Sequence, residues 1–509
     1  MYIEPNTVIR LLKNCPLDTS YDHTIYFANE NSQINYFQGL TKYIFTEQTY
    51  QRVQRGKTRV QRKAEELYDC NYMMFQNSSF GNKWFYAFIT SVEYVNNITS
   101  EITFEIDAMQ TWFFDYTLEQ CFVEREHSIT DNIGDNLVPE NLELGEYVSD
   151  DFDATQLLSE KSIVVAATFD GQYNDIGGAY YSGLFSGLYF NVFPNTVDGA
   201  SACEKFISGA GAKADGIVSV FLMPTSMVTG VVQPAKVYDI VKNKSVSSIG
   251  SYTPKNNKLF TYPFNFLYVT NLQGNGSAFP YEYFSTDDCR FTLTGDMSCN
   301  PSCVLAPQNY KGVPVNYDEK MVLGGFPQLA YNTDAFKTWL AQNASSLAVN
   351  GLSTSLNYAL AAGAFTGGIG AGAGATVGLV SSVANTLSQV YQATIRPNQA
   401  HGSGGSQTMA AIGLLDFAFM HKHIRPEFAR IIDDYFNMYG YATHRVKTPN
   451  RNSRPHWNFV KTIGCVVTGS IPADDMYKIC EIYNRGITFW KSGSEVGNYT
   501  LNNKPWERI

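Results

Sequence analysis

At 509 residues the chain exceeds what one hydrophobic core usually organises, and its 44% hydrophobic and 14% aromatic content is that of globular domains. Its 33 Tyr and 33 Phe tilt the expectation towards β-structure, while charged residues, at 17%, are few enough to suggest large contacts with partner chains. A net charge of −10 excludes tight nucleic-acid binding by phosphate neutralisation, although such a chain can surround DNA without gripping it.

The first residues, MYIEPNTVIRLLK, lack a basic start and an apolar run, so no signal peptide is expected. The nine cysteines are odd in number and irregularly spaced, which fits reduced thiols better than a disulfide framework. In the opening segment the clearest local signal is a hairpin: strand Trp84–Val95, turn Asn96-Asn97, return Ile98–Asp107. On the return, Ile98, Ser100, Ile102, Phe104 and Ile106 share one face. Thr99, Glu101, Thr103, Glu105 and Asp107 share the other, which predicts a half-buried antiparallel sheet with an acidic wet face.

Ser128–Asp153 is polar and acidic and reads as a linker. From Ile163 to Lys320, β-rich runs (Ile163–Phe169, Ile217–Met223, Leu259–Thr270) alternate with Gly/Asn/Ser loops, and one short helix is expected near Ala200–Ile207. Thr333 is a candidate N-cap. Glu427–Met438 reads as an amphipathic helix, followed by strand candidates Phe459–Thr468 and Gly486–Trp490. The expected fold class is mainly β within α+β: antiparallel sheet or barrel domains with a long apolar helical-hairpin or loop insertion. The expected division is 1–128, a β-domain; 129–330, a second β-domain with long loops; 331–410, the insertion; and 411–509, an α+β segment.

That insertion contains 58 consecutive residues, Thr338–Ile395, without Asp, Glu, Lys, Arg or His. Its centre, Ala359–Val380, is long enough to cross a bilayer, which takes about 20 apolar residues. Leu352, Leu356, Leu360 and Gly363, and later Val377, Val380 and Leu387, fall at helical spacing around a Gly/Ala hinge. The large apolar residues of the centre, Leu360, Phe365, Ile369, Val377, Leu379 and Val380, supply together about −2 to −4 kcal/mol of insertion free energy. One copy therefore inserts poorly, and several acting together insert better. Gly363/Gly367, Gly368/Gly372, Gly370/Gly374 and Gly374/Gly378 stand at the spacing that lets helix backbones approach in a membrane. A buried helical hairpin at a subunit interface, or a loop, fits the same pattern.

Catalytic and metal signals are weak. Gly56-Lys57-Thr58 lacks the leading glycine of a phosphate loop because position 51 is Gln. Cys299 and Cys303 have no second pair to complete a zinc site, and His421-Lys-His423 reads as the solvated approach to a helix. Asp433-Asp434 and Asp474-Asp475 read as helix-surface or turn carboxylates. No catalytic, metal or cofactor-binding residues are assigned, no cofactor is expected, and an enzyme is not. The aromatic stretch Asp170–Phe190 offers an alternative, a receptor-binding adhesin for wall carbohydrate.

Three blocks point further: YMMFQNSSFGNKWFYAF at Tyr72–Phe88, FEIDAMQTWFFD at Phe104–Asp115, and Phe122, Val123, Arg125, Glu126 and His127. YGYATHRVKTPN at Tyr439–Asn450, Asn458–Val460, Gly486–Trp490 and Gly497–Tyr499 agree at the other end. These resemble the distal tail (knob) proteins of small short-tailed phages of Gram-positive hosts; Ile129–Lys320 is less similar. The resemblance implies a virion protein of the distal tail, forming a ring or tube that is a homo-oligomer, six copies in that family. It implies as partners an upstream tail or collar protein, the host cell membrane, and viral double-stranded DNA passing through the lumen without specific binding. It also implies that the uncharged run plugs the tube and then perforates the membrane, with Leu352, Leu356, Leu360, Gly363, Phe365, Gly367, Gly368, Ile369, Gly372, Gly374, Val377, Gly378, Leu379, Val380 and Leu387 as penetrating residues. Glu101, Glu105 and Asp107 are then candidates for an acidic lumen lining over which phosphates slide.

Overall fold

The computed structural model describes residues 5–48, 56–155, 161–175, 180–181, 184–185, 187–194, 196–225, 238–296, 301–326 and 416–505. The protein is mainly antiparallel β-structure with a few helices, as composition and periodicity suggest. It divides into two compact units, residues 1–143, 254–258 and 430–509 in one, residues 144–253 and 259–429 in the other.

The first unit opens with a six-stranded sheet in the order Thr41–Gln48, Thr7–Lys13, Cys70–Gln76, Phe85–Asn96, Thr99–Ile106, Lys57–Val60. The predicted hairpin supplies its fourth and fifth strands, with the turn one residue later than expected: Asn96 pairs with Thr99, so Asn97-Ile98 makes the bend. Ser100 and Ile102 are buried and Glu101 and Thr103 are half-exposed, the period-two alternation read from the sequence.

A five-stranded sheet follows in the order His23–Ile25, Ile487–Trp490, Trp457–Ile463, Cys121–Glu126, Tyr441–Lys447; within it only the 23–25/487–490 pair is parallel. This sheet takes strands from both ends of the chain. The predicted strand Phe459–Thr468 is two strands, 457–463 and Val467–Gly469, interrupted at Gly464, which has φ +65. Gly440 (φ +66) brings the chain so close to the 121–126 strand that a Cβ there would stand 2.2 Å from the Glu126 carbonyl oxygen. The core between sheet and helix Ala473–Arg485 holds Phe37, Tyr72, Tyr86, Phe88, Val460, Ile479, Tyr483 and Phe489, with Phe37 and Tyr72 stacked at 5.3 Å.

The predicted linker does not run free. The Glu140 side chain is buried: its Oε1 accepts from Lys258 Nζ at 2.7 Å and from Ala442 N at 2.8 Å, and Arg125 donates to its Oε2. Asp131 accepts from the Tyr441 hydroxyl and from Asn257 N. Asp433, expected on a helix surface, is fully buried on helix Pro426–Tyr439 and accepts from the backbone N–H groups of Lys255 and Asn256 at 2.6 and 3.0 Å. Residues 254–258 thus enter the first unit as a strap held by carboxylates. Burial is what holds the Lys258 ammonium below its usual pKa range, against the pull of Glu140.

In the second unit, three sheets surround one large apolar core. Tyr238–Asn243, Asp288–Asp296, Ser302–Tyr310 and Val313–Val315 form one, with Met321–Gly324 also pairing to 302–310. Tyr147–Ser149, Ala418–Ile424, Asn265–Thr270 and Gly276–Phe279 form the next, and Tyr189–Pro194, Lys161–Ala167 and Ile217–Pro224 the third. The expected helix is Val197–Gly209, capped by Thr196, whose hydroxyl accepts from Gly199 N at 3.1 Å. The strand 418–424 is an inner strand of this unit, and the chain passes to the first unit within helix 426–439, whereas the expected division begins its last segment at 411.

Candidate functional site

The penetrating residues assigned from sequence, Leu352, Leu356, Leu360, Gly363, Phe365, Gly367, Gly368, Ile369, Gly372, Gly374, Val377, Gly378, Leu379, Val380 and Leu387, lie outside the described residues, as does Thr333. What the structure describes is the root on which that stretch stands. Residues 327–415 leave after Phe326 and return at Asp416, and Leu323, Phe326, Phe417 and Phe419 all enter the same core, beside Val269, Phe291 and Leu305. Phe326 is 2% exposed and Phe417 0%.

Polar contacts fix both ends. On the outgoing side, the amide of Asn271 donates to the Val322 carbonyl at 2.9 Å and Gln273 to that of Gly324 at 2.7 Å, both from the turn of the 265–279 hairpin. On the returning side, Thr155 N donates to the Phe417 carbonyl at 2.9 Å, and the buried Asp416 carboxylate accepts from Phe417 N at 2.7 Å and from the Thr155 hydroxyl. The 418–424 strand is then held on one flank by 265–270 and on the other by 147–149 and Asp153–Ala154. His421 and His423, expected on a solvated approach to a helix, stand in this strand. His423 Nε2 meets Asp150 at 2.8 Å, and His421 Nδ1 meets the Tyr281 hydroxyl at 2.5 Å.

The candidate lumen acids do not form one acidic face. Asp107 is 1% exposed, beyond the end of the 99–106 strand. It caps the turn Ala108–Thr111 by accepting from Gln110 N at 3.0 Å, and it accepts from the Tyr72 hydroxyl at 2.8 Å. Burial pushes its carboxyl up to about 6. Glu101 lies between Lys57 and Arg59 of the adjacent strand at 2.9 and 2.8 Å, and these two bonds hold its carboxyl below the usual range. Glu105 pairs with Lys478. The face therefore carries two cations against the Glu101 carboxylate, and period two misled at Asp107 because the strand ends at Ile106.

The aromatic stretch behind the adhesin alternative is partly internal. Phe190 is buried, and Tyr173 stacks on Phe206 at 5.3 Å while its hydroxyl donates to the Phe206 carbonyl. Among the described residues no cluster of three or more His, Cys, Asp or Glu is placed to hold a metal ion, and no helix is long and apolar enough to cross a membrane.

Comparison with known proteins agrees with this architecture along the whole chain. The family model of the C-terminal domain of the Bacillus phage phi29 tail knob protein gp9 matches residues 232–504, and that of the caudoviral major tail protein N-terminus matches residues 5–117. The tail knob protein gp9 of Bacillus phage PZA is 27% identical over an alignment of 595 positions, covering 98% of each chain. That of phi29 is 24% identical with the same coverage. The solved tail knob protein gp12 of bacteriophage C1 shares the fold, with a TM-score of 0.65 at 15% identity over 98% of this chain and 100% of the other.

These matches put the chain among the structural proteins of phage tails, not among enzymes. It belongs to the tail knob protein gp9 family, and is a distal tail component of a short-tailed phage particle. That is the family whose likeness is read in Tyr72–Phe88 and Tyr439–Asn450.

Proposed function

We propose that copies of this chain, six in number, form the distal tube of the tail beneath an upstream tail or collar protein. In this reading the uncharged segments plug the lumen before infection, and Leu352–Tyr391 then leaves the tube and perforates the host membrane. Viral DNA passes through the channel without being gripped. The observation that carries the reading is the pairing of a 58-residue stretch without charge with a root whose two ends are buried in one core. Such a root lets the segment change surroundings while the unit beneath it keeps its packing. The arithmetic of insertion, weak for one copy, is met by bringing several copies to one point. With Asp107 buried and Glu101 neutralised, passage of DNA rests on the overall negative charge of the chain rather than on an acidic strand face.

The test is leakage of dye from loaded liposomes. The full chain is expected to release dye, whereas a variant lacking Ser355–Val390 should fold, assemble to the same mass and release none. Equal leakage from both would sink the proposal.

A further inference from the structure

The hairpin that grips the outgoing end of the insertion carries a chemically labile dipeptide. Residues 271–275 turn the chain from the strand Asn265–Thr270 into Gly276–Phe279, and Asn275-Gly276 is an Asn-Gly pair. Such a pair is open to attack by the glycine's own backbone nitrogen on the asparagine side chain, because glycine has no Cβ to hinder the approach. Both residues are exposed. Among the described residues the bonds of Asn275 are made by its backbone: its N–H donates to Asn271 Oδ1 at 3.1 Å, and its carbonyl accepts from Asn271 N at 3.1 Å and from the Thr270 hydroxyl at 2.8 Å. Its side-chain amide is left to solvent. The attacking nitrogen is accessible as well. Because Asn271 N bonds the Asn275 carbonyl, the next pair, Thr270 and Gly276, is of the kind that exchanges no hydrogen bonds, and the Gly276 N–H points away from 265–270. The strand 276–279 is the last of its sheet, so that N–H meets an open edge. Packing also requires the glycine, since a Cβ at 276 would stand 2.0 Å from the Tyr268 hydroxyl oxygen. Asp-Gly pairs elsewhere are restrained: the Asp170 carboxylate accepts from Gln172 N and Asn174 N at 2.8 Å each, and the nitrogen of Gly199, after Asp198, is tied to the Thr196 hydroxyl.

We propose that Asn275 is a site of spontaneous deamidation in the folded chain, and that the reaction loosens the hold on the outgoing end of the insertion. The Gly276 nitrogen attacks Asn275 Cγ, the new C–N bond forms, the bond from Cγ to Nδ2 breaks, and ammonia leaves with the proton that Gly276 gives up. Water then adds to one carbonyl of the resulting cyclic imide. Opening at Cγ leaves an ordinary aspartyl residue, and opening at the main-chain carbonyl leaves an isoaspartyl linkage that runs through the side chain. One water is consumed and one ammonia released, with no change of oxidation state. Loss of the Gly276 proton assists the attack, so the reaction accelerates as the solution becomes alkaline. The isoaspartyl product adds a carbon to the main chain inside a turn where Asn271 Oδ1 accepts from both Gln273 N and Asn275 N. Asn271 and Gln273 are the residues whose amides hold the Val322 and Gly324 carbonyls. Displacing position 275 therefore removes a constraint that aims those two amides at the chain entering the insertion.

The experiment ages the purified full chain at mildly alkaline pH, folded in buffer and unfolded in urea, and maps its peptides by mass. The expected result is that the peptide containing Asn275 gains the mass difference between an amide and an acid in both samples, and that an isoaspartyl methyltransferase labels it. The backbone amides of 321–324 should exchange hydrogen several-fold faster in the aged folded chain than in the fresh one. Asn275→Gln should age with neither change. An Asn275 that reacts in urea but stays intact in the folded chain would overturn the proposal, as would a deamidated chain whose exchange at 321–324 is unaltered.

Discussion

The two units of this protein hold themselves together by different means. The first joins segments remote in sequence, and does so with buried polar contacts: Glu140 with Lys258 and Arg125, Asp433 with the 254–258 strap, and Gln33 with Gln110. The second builds its largest core from apolar side chains, Val269, Phe279, Phe291, Leu293, Leu305 and Phe419 among them, and places polar contacts at both ends of the insertion as well. Apolar packing is tolerant of shape and has no direction, whereas a buried carboxylate accepts only the donors that reach it. The difference teaches where positional information is needed. A unit assembled from chain ends must distinguish correct from incorrect partners, and a unit that carries an insertion must remain closed whatever the insertion does.

Substitutions separate the two kinds of core, and the largest effect is expected at the strap. Glu140→Gln removes the charge facing both Lys258 and Arg125 inside the first unit, and breaking such a buried pair costs about 3–5 kcal/mol. Urea unfolding, with hydrogen exchange reporting on each unit, should show the loss in the first. A loss under ~1 kcal/mol would mean that the polar strap is incidental, since exposed pairs are worth no more than that.

Acid is the next way to divide them. His127 is buried in the first unit, its Nδ1 accepting from Phe459 N at 2.8 Å and its Nε2 donating to the Asn437 carbonyl at 3.1 Å. Burial lowers its pKa from 6.5 to about 3. The fold therefore holds the neutral ring, and this contribution is full above the unfolded value and is lost as pH falls from about 6.5 towards 3, with a slope of up to ~1.4 kcal/mol per pH unit. Asp107 acts in the opposite sense. Its pKa is raised from 3.8 to about 6, so its contribution falls as pH rises between those values. Urea midpoints measured from pH 4 to 7 should show a steeper acid loss in Asp107→Asn and a shallower one in His127→Gln; unchanged slopes in both would remove these two groups from the account.

The smallest effect is expected in the second unit. Leu293→Met conserves volume in an apolar core and should cost less than ~1.5 kcal/mol by the same urea measurement. A greater loss there than at Glu140 would reverse the contrast.

Sequence periodicity carried far where one element decides its own structure. The hairpin at 85–106, the strands 161–167 and 217–224, and the helices 197–209 and 426–439 all follow from local pattern and capping residues. It carried less where distant segments decide. Nothing near Asp131 or Glu140 announces that Tyr441 or Lys258 will arrive to bury them, so a polar stretch reads as a linker. His421-Lys-His423 looks solvated beside the helix start at Pro426, yet two flanking strands make it an inner strand. Asp107 was recoverable: Asp followed three residues later by Gln110 is the pattern of a capping residue, and that outweighs one more step of alternation. The root of the insertion also left a trace, since among the described residues Phe326 and Asp416-Phe417, all buried, bracket the uncharged stretch.

The five-stranded sheet of the first unit sets a schedule for synthesis. The six-stranded sheet needs only residues from the beginning of the chain and can close as soon as they emerge. The 121–126 strand, by contrast, pairs on one side with 441–447 and on the other with 457–463. At ribosomal speeds of about 5–20 residues per second its two partners arrive on the order of 15–60 s later. Through that interval both edges of the strand are open, so a chain released early would carry a ready template for aggregation, and completion of this sheet is the last step that certifies a finished subunit.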